Sequence, residues 1–400
     1  MVALVLLALP ASAKTHTRAE IRTLYAQLVS REDELPYRVL PHVIPPYDAG
    51  ALTDEALQAA LNYVNFLRRV AYIENDVALS DLYTMRAQYA ATLLAANDQL
   101  LHDAPIAPDM EQDFYETAHA GTTSSNIASI NWMDNDILLT AIAYFVRDDG
   151  AENLSALGHR RWLLNPNMGE TGFGLANAQS GITYAAMYAH DLSGKCADWQ
   201  SIAWPSAGAF PAELMANSLA WSVTLNPRYY DAEKSDIRVT MSEKSAGIAN
   251  LSYFNVNAEN YGAGPCVIFV PDLQAMGIEQ YQQNQVWQVH LTGLKTTDGA
   301  DAEISYEVDM IALTPKDPTN VEIDRDEMAL SPGETARLSA AVVPAWADEV
   351  TVCWKSSNES VATVDENGNV TAVMQGSCKI TATSVNGKTA SCDLTVTLQQ

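Results

Sequence analysis

The chain has 400 residues, with 23 Lys or Arg against 49 Asp or Glu, which gives a formal net charge of −26 at pH 7. Such a surface repels phosphate backbones and anionic lipids, so we expect no nucleic-acid partner and no binding to a membrane surface. At roughly 100–200 residues per domain, the length predicts two to four domains.

The first residues predict export. Residues 2–9 are almost wholly apolar, and Pro10 to Ala13 form the small-residue stretch after which signal peptidase cuts. We expect a signal peptide at residues 1–13 and a protein that is secreted, extracellular or associated with the cell envelope. No Lys or Arg precedes the apolar run, which departs from the usual pattern. The run is shorter than the roughly 18 residues that a spanning helix needs, so we expect no transmembrane segment.

Helical periodicity appears early in the chain. Three amphipathic helices are predicted after an N-terminal extension of residues 14–50, with apolar positions at residues 57–70, 82–100 and 137–146. Two β-prone runs, residues 171–176 and 182–188, then flank a polar turn and predict a hairpin. Helices followed by a hairpin indicate an α+β domain, placed at residues 51–203.

From Trp204 onward short alternating runs replace the helical pattern. They occupy residues 220–225, 237–241, 251–256, 266–270, 287–291 and 304–311. This pattern predicts an all-β sandwich over residues 204–314. A linker marked by Pro315 and Pro318 leads to a second strand-rich block at residues 319–398. The predicted fold is therefore multidomain, one α+β domain followed by two all-β sandwich domains.

Four separated motifs in the first domain agree with one family. They are residues 61–68, residues 87–91 leading to His102, residues 124–128, and residues 158–166 with Gly172-Phe173-Gly174. In this order they resemble the bacterial secreted branch of the CAP superfamily (cysteine-rich secretory protein-like). The resemblance implies an α-β-α sandwich with a shallow cleft between the two histidine-bearing segments.

The resemblance also implies which residues line the cleft. CAP domains hold two histidines and two acidic residues there, and the histidines correspond to His102 and His159. Ser125, followed by Asn126, stands where the first acid belongs, and Asp148 is a positional candidate for the second. Two neutral imidazoles could share a divalent metal, although the loss of one carboxylate weakens that hypothesis. The alternative is that one or both histidines are hydrogen-bonded structural residues.

Other interpretations of these residues remain open. Ser125, His102, His159 and Asp148 could form a Ser-His-acid hydrolase site, but Ser125 lacks a nucleophile-elbow sequence and suits a cap or turn. Arg160 and Arg161 could bind an anion at the cleft edge. The remaining histidines considered are interpreted as ordinary loop or strand residues: His119, His190 and His290.

The last block resembles a group 2 bacterial immunoglobulin-like domain. The residues that carry the resemblance are 330–334, 352–358, 361–370 and 376–395. In that family such modules occur in bacterial surface and adhesion proteins, often as spacers. Trp354 is expected in the core, and Asp365–Gly368 as a hairpin turn rather than a calcium site.

The final hairpin makes a prediction about cysteines. Alternation places Ile380, Ala382, Leu394 and Val396 inward around a turn near Asn386-Gly387. With Ile380 opposite Leu394, the sulfurs of Cys378 and Cys392 lie on the order of 13 Å apart. We therefore expect no Cys378–Cys392 disulfide and at least one buried thiol. Within the first 318 residues the only other candidate pair is Cys196 with Cys266, across a domain boundary.

These inferences lead to two competing functions. The leading hypothesis is a non-catalytic bacterial binding protein whose cleft takes an unknown extracellular ligand or cell-envelope component, with the β-sandwich domains as spacers. The alternative is an extracellular hydrolase of peptide or cell-wall material that uses the His102/His159 cleft. A carboxylate within hydrogen-bond reach of either histidine would favour the enzyme.

Overall fold

The computed structural model describes residues 15–28, 36–131, 136–194, 198–216, 219–345 and 347–398. The predicted signal peptide and Cys196 lie outside these ranges. The chain divides into two compact units. The first runs to Tyr281 and continues from Gln285 to Met310, and the second comprises Gln282–Asn284 and the residues from Ile311 onward. Within the described ranges, no helix is long and apolar enough to cross a membrane.

The described residues of the first unit form six α-helices. Their bounds are α1 Arg18–Ala26, α2 Asp54–Val70, α3 Asp81–Asn97, α4 Gln112–Thr122, α5 Ile137–Arg147 and α6 Gly158–Leu163. The three predicted helices, α2, α3 and α5, are confirmed. Thr53 begins α2 by accepting a hydrogen bond from the amide of Ala56 at 3.1 Å. The sequence did not predict α1, α4 and α6, which have few buried apolar residues to mark a helical face.

A small antiparallel sheet lies among these helices. The strands of this part are β1 Tyr37–Val39, β2 Ala51–Leu52, β3 Ala78–Leu79, β4 Ser125–Ile130, β5 Glu170–Thr171, β6 Phe173–Asn177 and β7 Thr183–Tyr188. The sheet has the order β4-β7-β6, and β6 with β7 forms the predicted hairpin. All six residues of β7 are buried, so both faces of the sheet are covered, because successive side chains point to opposite faces.

Helix α3 packs against β6 and β7, and α5 packs against β4. The contact with α3 requires a glycine at residue 174. A Cβ atom there would lie 2.1 Å from the carbonyl oxygen of Ala87. The helix backbone and the strand backbone therefore approach each other more closely than any side chain allows.

The predicted middle block forms two packed sheets within the same unit. Its strands are β8 Ser201–Trp204, β9 Gly208–Pro211, β10 Trp221–Leu225, β11 Arg238–Glu243, β12 Gly247–Ala249, β13 Leu251–Asn257, β14 Cys266–Pro271, β15 Val286–Lys295 and β16 Asp301–Ile311. The sheets have the orders β13-β14-β10-β8 and β12-β11-β15-β16-β9. Trp221 of the first sheet and Trp287 of the second have ring centroids 5.7 Å apart. The predicted β-sandwich is confirmed.

The second unit is entirely β. Its strands are β17 Asn320–Ile323, β18 Glu327–Leu330, β19 Thr335–Arg337, β20 Ala340–Val343, β21 Val352–Ser356, β22 Ala362–Val364, β23 Asn369–Ala372, β24 Gly376–Ser384 and β25 Thr389–Val396. They form sheets with the orders β18-β25-β24-β21, β19-β23-β22 and β17-β20. Asp365 accepts from the amides of Asn367 and Asn369 in the β22–β23 hairpin, as the predicted turn requires. Trp354 packs on two apolar clusters but is only half-buried.

The predicted register of the last hairpin is wrong by two residues. Ile380 lies opposite Cys392, and Cys378 lies opposite Leu394, because the loop between β24 and β25 has only four residues, closed by the hydrogen bond from Ser384 N to Lys388 O at 2.9 Å. The predicted inward face is nevertheless correct. Cys378 and Cys392 are both buried and both free thiols in this structure. The new register makes them diagonal neighbours on one face of the sheet.

Candidate functional site

Segments from several elements of the first unit line one cleft of about 530 Å³. Its lining includes His102, from the loop after α3, and Ser125 and Asn126 at the start of β4. His159 lies in the first turn of α6. The sequence-predicted residues His102, Ser125, Asn126 and His159 therefore come together, and the ring centroids of the two histidines are 6.5 Å apart.

A carboxylate orients His159. Nδ1 of His159 lies 2.9 Å from Oδ1 of Asp148, whose side chain is completely buried, and Oδ2 of Asp148 accepts from the amide of Arg160. Asp148 ends α5 in the left-handed conformation, with φ 53°, which turns its side chain back toward α6. Asn126 donates to the carbonyl of His159 at 2.9 Å. This carboxylate fixes the tautomer with hydrogen on Nδ1 and leaves Nε2 as an acceptor.

His102 is oriented in the same way by a backbone group. Its Nδ1 donates to the carbonyl oxygen of Thr122 at 2.8 Å. Within the described part of the chain, Nε2 of neither His102 nor His159 has a hydrogen-bond partner. The cleft therefore presents two imidazole nitrogens whose rings are held from behind.

A third histidine belongs to the cleft, contrary to the sequence interpretation of His190. Its ring stacks on Trp162 with centroids 4.1 Å apart, and both residues line the cavity. Burial, and then the charge of His102, lower the pKa of His190. His190 reaches the cleft because of the strand pairing, since its amide donates a hydrogen bond to the carbonyl of Ser124, just before β4. His119 and His290 pair with exposed carboxylates, Asp103 and Glu303, on other surfaces.

Ser125 contributes an unsatisfied hydroxyl. The residue is 3% exposed, lines the cavity, and its Oγ has no hydrogen-bond partner among the residues that the structure describes. It donates to neither histidine, so the serine is not activated as the nucleophile of a catalytic triad in this conformation. A buried hydroxyl without a partner is costly, and a polar group in the cleft would satisfy it.

The expectation that Arg160 or Arg161 binds an anion is wrong. Both are buried, 1% and 2% exposed, and their guanidinium groups are occupied by protein acceptors. Arg160 donates to the carbonyls of Val146, Arg147 and Ala220. Arg161 donates to the carbonyls of Glu259 and Gly264 and to the side chain of Asn257. Burial lowers the pKa of both arginines, that of Arg160 to about 10.

The β-sandwich also contributes to the cleft, which the sequence did not predict. Glu259, Asn260 and Tyr261, from the loop between β13 and β14, line the same cavity as the histidines. They lie about 100 residues after His159 in the chain, and no local motif connects the two segments.

The two histidines do not form a closed metal site. Two imidazoles bound to one tetrahedral zinc, with nitrogens at about 2 Å, would bring their centroids to about 5 Å, closer than the 6.5 Å observed. No group of three or more His, Cys, Asp or Glu with metal-binding geometry occurs within the described ranges. Asp148 is already engaged by His159. We therefore derive no chemical step through a metal.

The fold and the comparisons define the chain as a multidomain protein of mainly β-sandwich type, with a helical part, and of extracellular-type architecture. Residues 317–394 match the family model of the bacterial Ig-like domain (group 2). The predicted resemblance of the last block is thereby confirmed. The CAP resemblance of the first domain stays a prediction.

Curated relatives match part of the chain. A lacto-N-biosidase of Bifidobacterium bifidum is 38% identical over 138 residues, which are 30% of this chain and 12% of that protein. A 3-O-alpha-D-galactosyl-alpha-L-arabinofuranosidase of Bifidobacterium longum subsp. longum is 46% identical over 72 residues, 18% of this chain and 6% of that enzyme. The chain thus spans only a small part of the length of these relatives.

Solved structures show similarity of the same limited extent. An intimin mutant of EHEC O157:H7 is 27% identical, with 19% of this chain and 45% of that chain covered and a TM-score of 0.16. Domains 4 and 5 of the S-layer protein SbsC are 16% identical, with 40% and 75% covered and a TM-score of 0.19. At these TM-scores the similarity does not extend to the arrangement of the whole chain.

Proposed function

We propose that this is a secreted bacterial protein whose first domain, residues 51–203, is CAP-like and binds an extracellular ligand or a component of the cell envelope. The ligand site is the cleft of His102, His159, Ser125 and Asn126, with Asp148 behind His159. The bacterial Ig-like domain, residues 319–398, serves as a spacer that holds this cleft at or near the envelope.

One observation carries the proposal. Both His102 and His159 are bonded through Nδ1 to protein acceptors, at 2.8 and 2.9 Å, and keep Nε2 for the cleft. Both residues line the same cavity, so their second nitrogens are available to one ligand. Beside these nitrogens lies the unsatisfied hydroxyl of Ser125. Oriented but unpaired polar groups around a cavity are typical of a site that binds a polar ligand.

Co-sedimentation with isolated bacterial cell walls tests the binding function. The full chain is compared with the double variant His102→Ala/His159→Ala and with the control His290→Ala, whose histidine pairs with Glu303 on the sandwich. We expect the double variant to lose about tenfold or more in affinity, which is 1.4 kcal/mol. Binding by the double variant equal to that of the wild type would exclude the cleft as the binding site.

Hydrolysis by the same cleft is the second candidate, and the Asp148–His159 hydrogen bond favours it. A buried carboxylate on Nδ1 stabilises the imidazolium that forms when Nε2 accepts a proton, so His159 could act as a general base toward a water molecule. The unpaired Ser125 hydroxyl favours water over serine as the nucleophile.

A screen with peptide and cell-wall substrates tests this candidate, with metal analysis of the same protein preparation. If His159 is the base, Asp148→Asn should lower kcat roughly 10²–10⁴-fold, the usual contribution of general base catalysis. Ser125→Ala removes a ligand contact and no base, so it should weaken substrate binding and affect kcat far less. Absence of turnover by the wild-type protein on every substrate leaves binding as the function.

A further inference from the structure

The loop between β13 and β14 forms one wall of the cleft. Glu259, Asn260 and Tyr261 of this loop face the same cavity as His102 and His159. The β-sandwich is therefore more than a spacer, because the site would be open on this side without it.

Arg161 holds this wall in place. Its buried guanidinium donates to the carbonyl of Glu259, to the carbonyl of Gly264 at 2.6 Å and to Asn257 Oδ1 at 2.7 Å. It also lies 4.8 Å from the centre of the Tyr261 ring. Because Arg161 is only two residues from His159 on α6, the wall and the histidine are fixed to the same turn of helix.

Two glycines allow the close approach of the loop to α6. A Cβ on Gly158 would lie 2.9 Å from the Tyr261 ring, and one on Gly262 would lie 2.8 Å from the ring of Trp162. Gly262 also adopts φ +93°, a conformation that favours glycine. The loop therefore packs directly on the helix that carries His159.

The cleft has acidic groups at its rim, beside the three histidines of its lining. Glu152 and Glu259 line it as exposed carboxylates, and none of its described lining residues is Lys or Arg. The charge of Arg161 is buried within the wall. The Tyr261 hydroxyl donates to Glu259 Oε2 at 3.1 Å, and burial and this carboxylate raise the pKa of Tyr261, so the donor stays protonated. This hydrogen bond orients the Glu259 side chain at the rim.

A second feature, independent of these carboxylates, indicates a ligand. Ser125 is 3% exposed, and its hydroxyl lines the same cavity without a partner in the described part of the chain. A ligand that reaches Ser125 with a polar atom would satisfy this hydroxyl.

We propose that the loop between β13 and β14 determines the specificity of the cleft, and that Glu259, positioned by Tyr261 and Arg161, selects ligands that carry a cationic amine. The inference rests on the proposed binding function and deepens it by naming the ligand class. Attraction between the amine and the acidic rim gives the selectivity, and salt should weaken it.

Two matched peptides test the ligand class on the full chain. The probes are the N-terminally acetylated tetrapeptide Ala-Ala-Lys-Ala and the same peptide with an Nε-acetylated lysine, so the lysine ammonium is the only cationic amine in the pair. Binding is followed by NMR of the 15N-labelled imidazoles. We expect the amine peptide to shift the His102 and His159 signals and to bind about tenfold more tightly than the acetylated form, a difference of 1.4 kcal/mol.

Two variants then test whether Glu259 causes the preference for the amine peptide. Glu259→Gln should remove most of the preference for the amine, whereas Glu307→Gln, an exposed acid on β16 of the same sandwich, should keep it. Equal affinity for the two peptides, no shift with either peptide, or an unchanged preference in Glu259→Gln would overturn the proposal. The cell-wall experiment with His102→Ala/His159→Ala reports separately on whether the cleft binds anything, so the two failures are distinguishable.

Discussion

Substitution of Arg160 by methionine should destabilise the first unit strongly. The guanidinium donates to the carbonyls of Val146 at 2.6 Å, Arg147 at 2.7 Å and Ala220 at 2.7 Å, and to the Ser222 hydroxyl at 3.1 Å. The first two carbonyls belong to the last turn of α5, where the helix itself provides no partner. One buried side chain therefore caps α5 and bonds it to the start of β10.

The size of this destabilisation follows from the backbone carbonyls that lose their hydrogen-bond donor. Each buried carbonyl without a donor costs about 1–3 kcal/mol, and methionine recovers part of this through apolar contact. With three such carbonyls, and with that recovery subtracted, we expect a loss of about 3–5 kcal/mol. At about 2–4 °C per kcal/mol for large domains, the transition should fall by on the order of 10 °C.

Differential scanning calorimetry of the full chain measures this shift. Arg69→Met is the matched control, because Arg69 pairs with Asp76 at the surface, where an ion pair contributes less than about 1 kcal/mol. A transition of Arg160→Met that coincides with that of Arg69→Met would refute the reasoning, since the buried hydrogen bonds would then contribute nothing measurable.

Four further predictions concern other parts of the chain. Gly174→Ala should cost roughly 3 kcal/mol in urea denaturation, because its Cβ would overlap the Ala87 carbonyl; an unchanged midpoint contradicts the close packing of α3 on β6. Burial alone would raise the pKa of Glu243, but hydrogen bonds from Ser245 and from the amides of Ala246, Ser245 and Val286 lower it below 4.5. Its stabilisation is therefore complete above pH 4.5 and lost as pH falls through the lowered pKa, and Glu243→Gln should flatten unfolding-midpoint curves in that window. If the wild type and Glu243→Gln gave curves of unfolding midpoint against pH with the same slope, this stabilising role of Glu243 would be excluded. Residues 319–398 expressed alone should show a slowly exchanging amide core; complete exchange within minutes would place the domain boundary elsewhere. Non-reducing peptide mapping should find no Cys378–Cys392 link, and among the three thiols of the second unit the exposed Cys353 should react with maleimide before the buried Cys378 and Cys392. Equal labelling rates of the three thiols would contradict the burial of the other two.

Local pattern was sufficient for most elements of the fold. Apolar spacing of 3.6 and 2.0 residues predicted α2, α3, α5, the β6–β7 hairpin and six of the nine strands described in the sandwich, because these periods reflect which side of an element is buried. The strands β8, β9 and β12, of three or four residues, were not predicted. The same alternation identified the inward face of β24 and β25. It did not identify their register, because a slip of two residues keeps every side chain on its face.

The residues of the candidate site were likewise predicted from the sequence, but their contacts were not. Motif positions in the sequence selected His102, His159, Ser125, Asn126 and Asp148, although the hydrogen bond between Asp148 and His159 depends on how α5 ends.

Three features were decided only by tertiary structure. The stacking of His190 on Trp162 depends on strand pairing, and the wall of Glu259 and Tyr261 on a loop about 100 residues away along the chain. The burial of Arg160 and Arg161 depends on carbonyl groups that any residue type could supply. Every residue has a backbone carbonyl, so the sequence does not show which carbonyls will accept hydrogen bonds from these two arginines. Their partners become apparent only when the sandwich packs against α6.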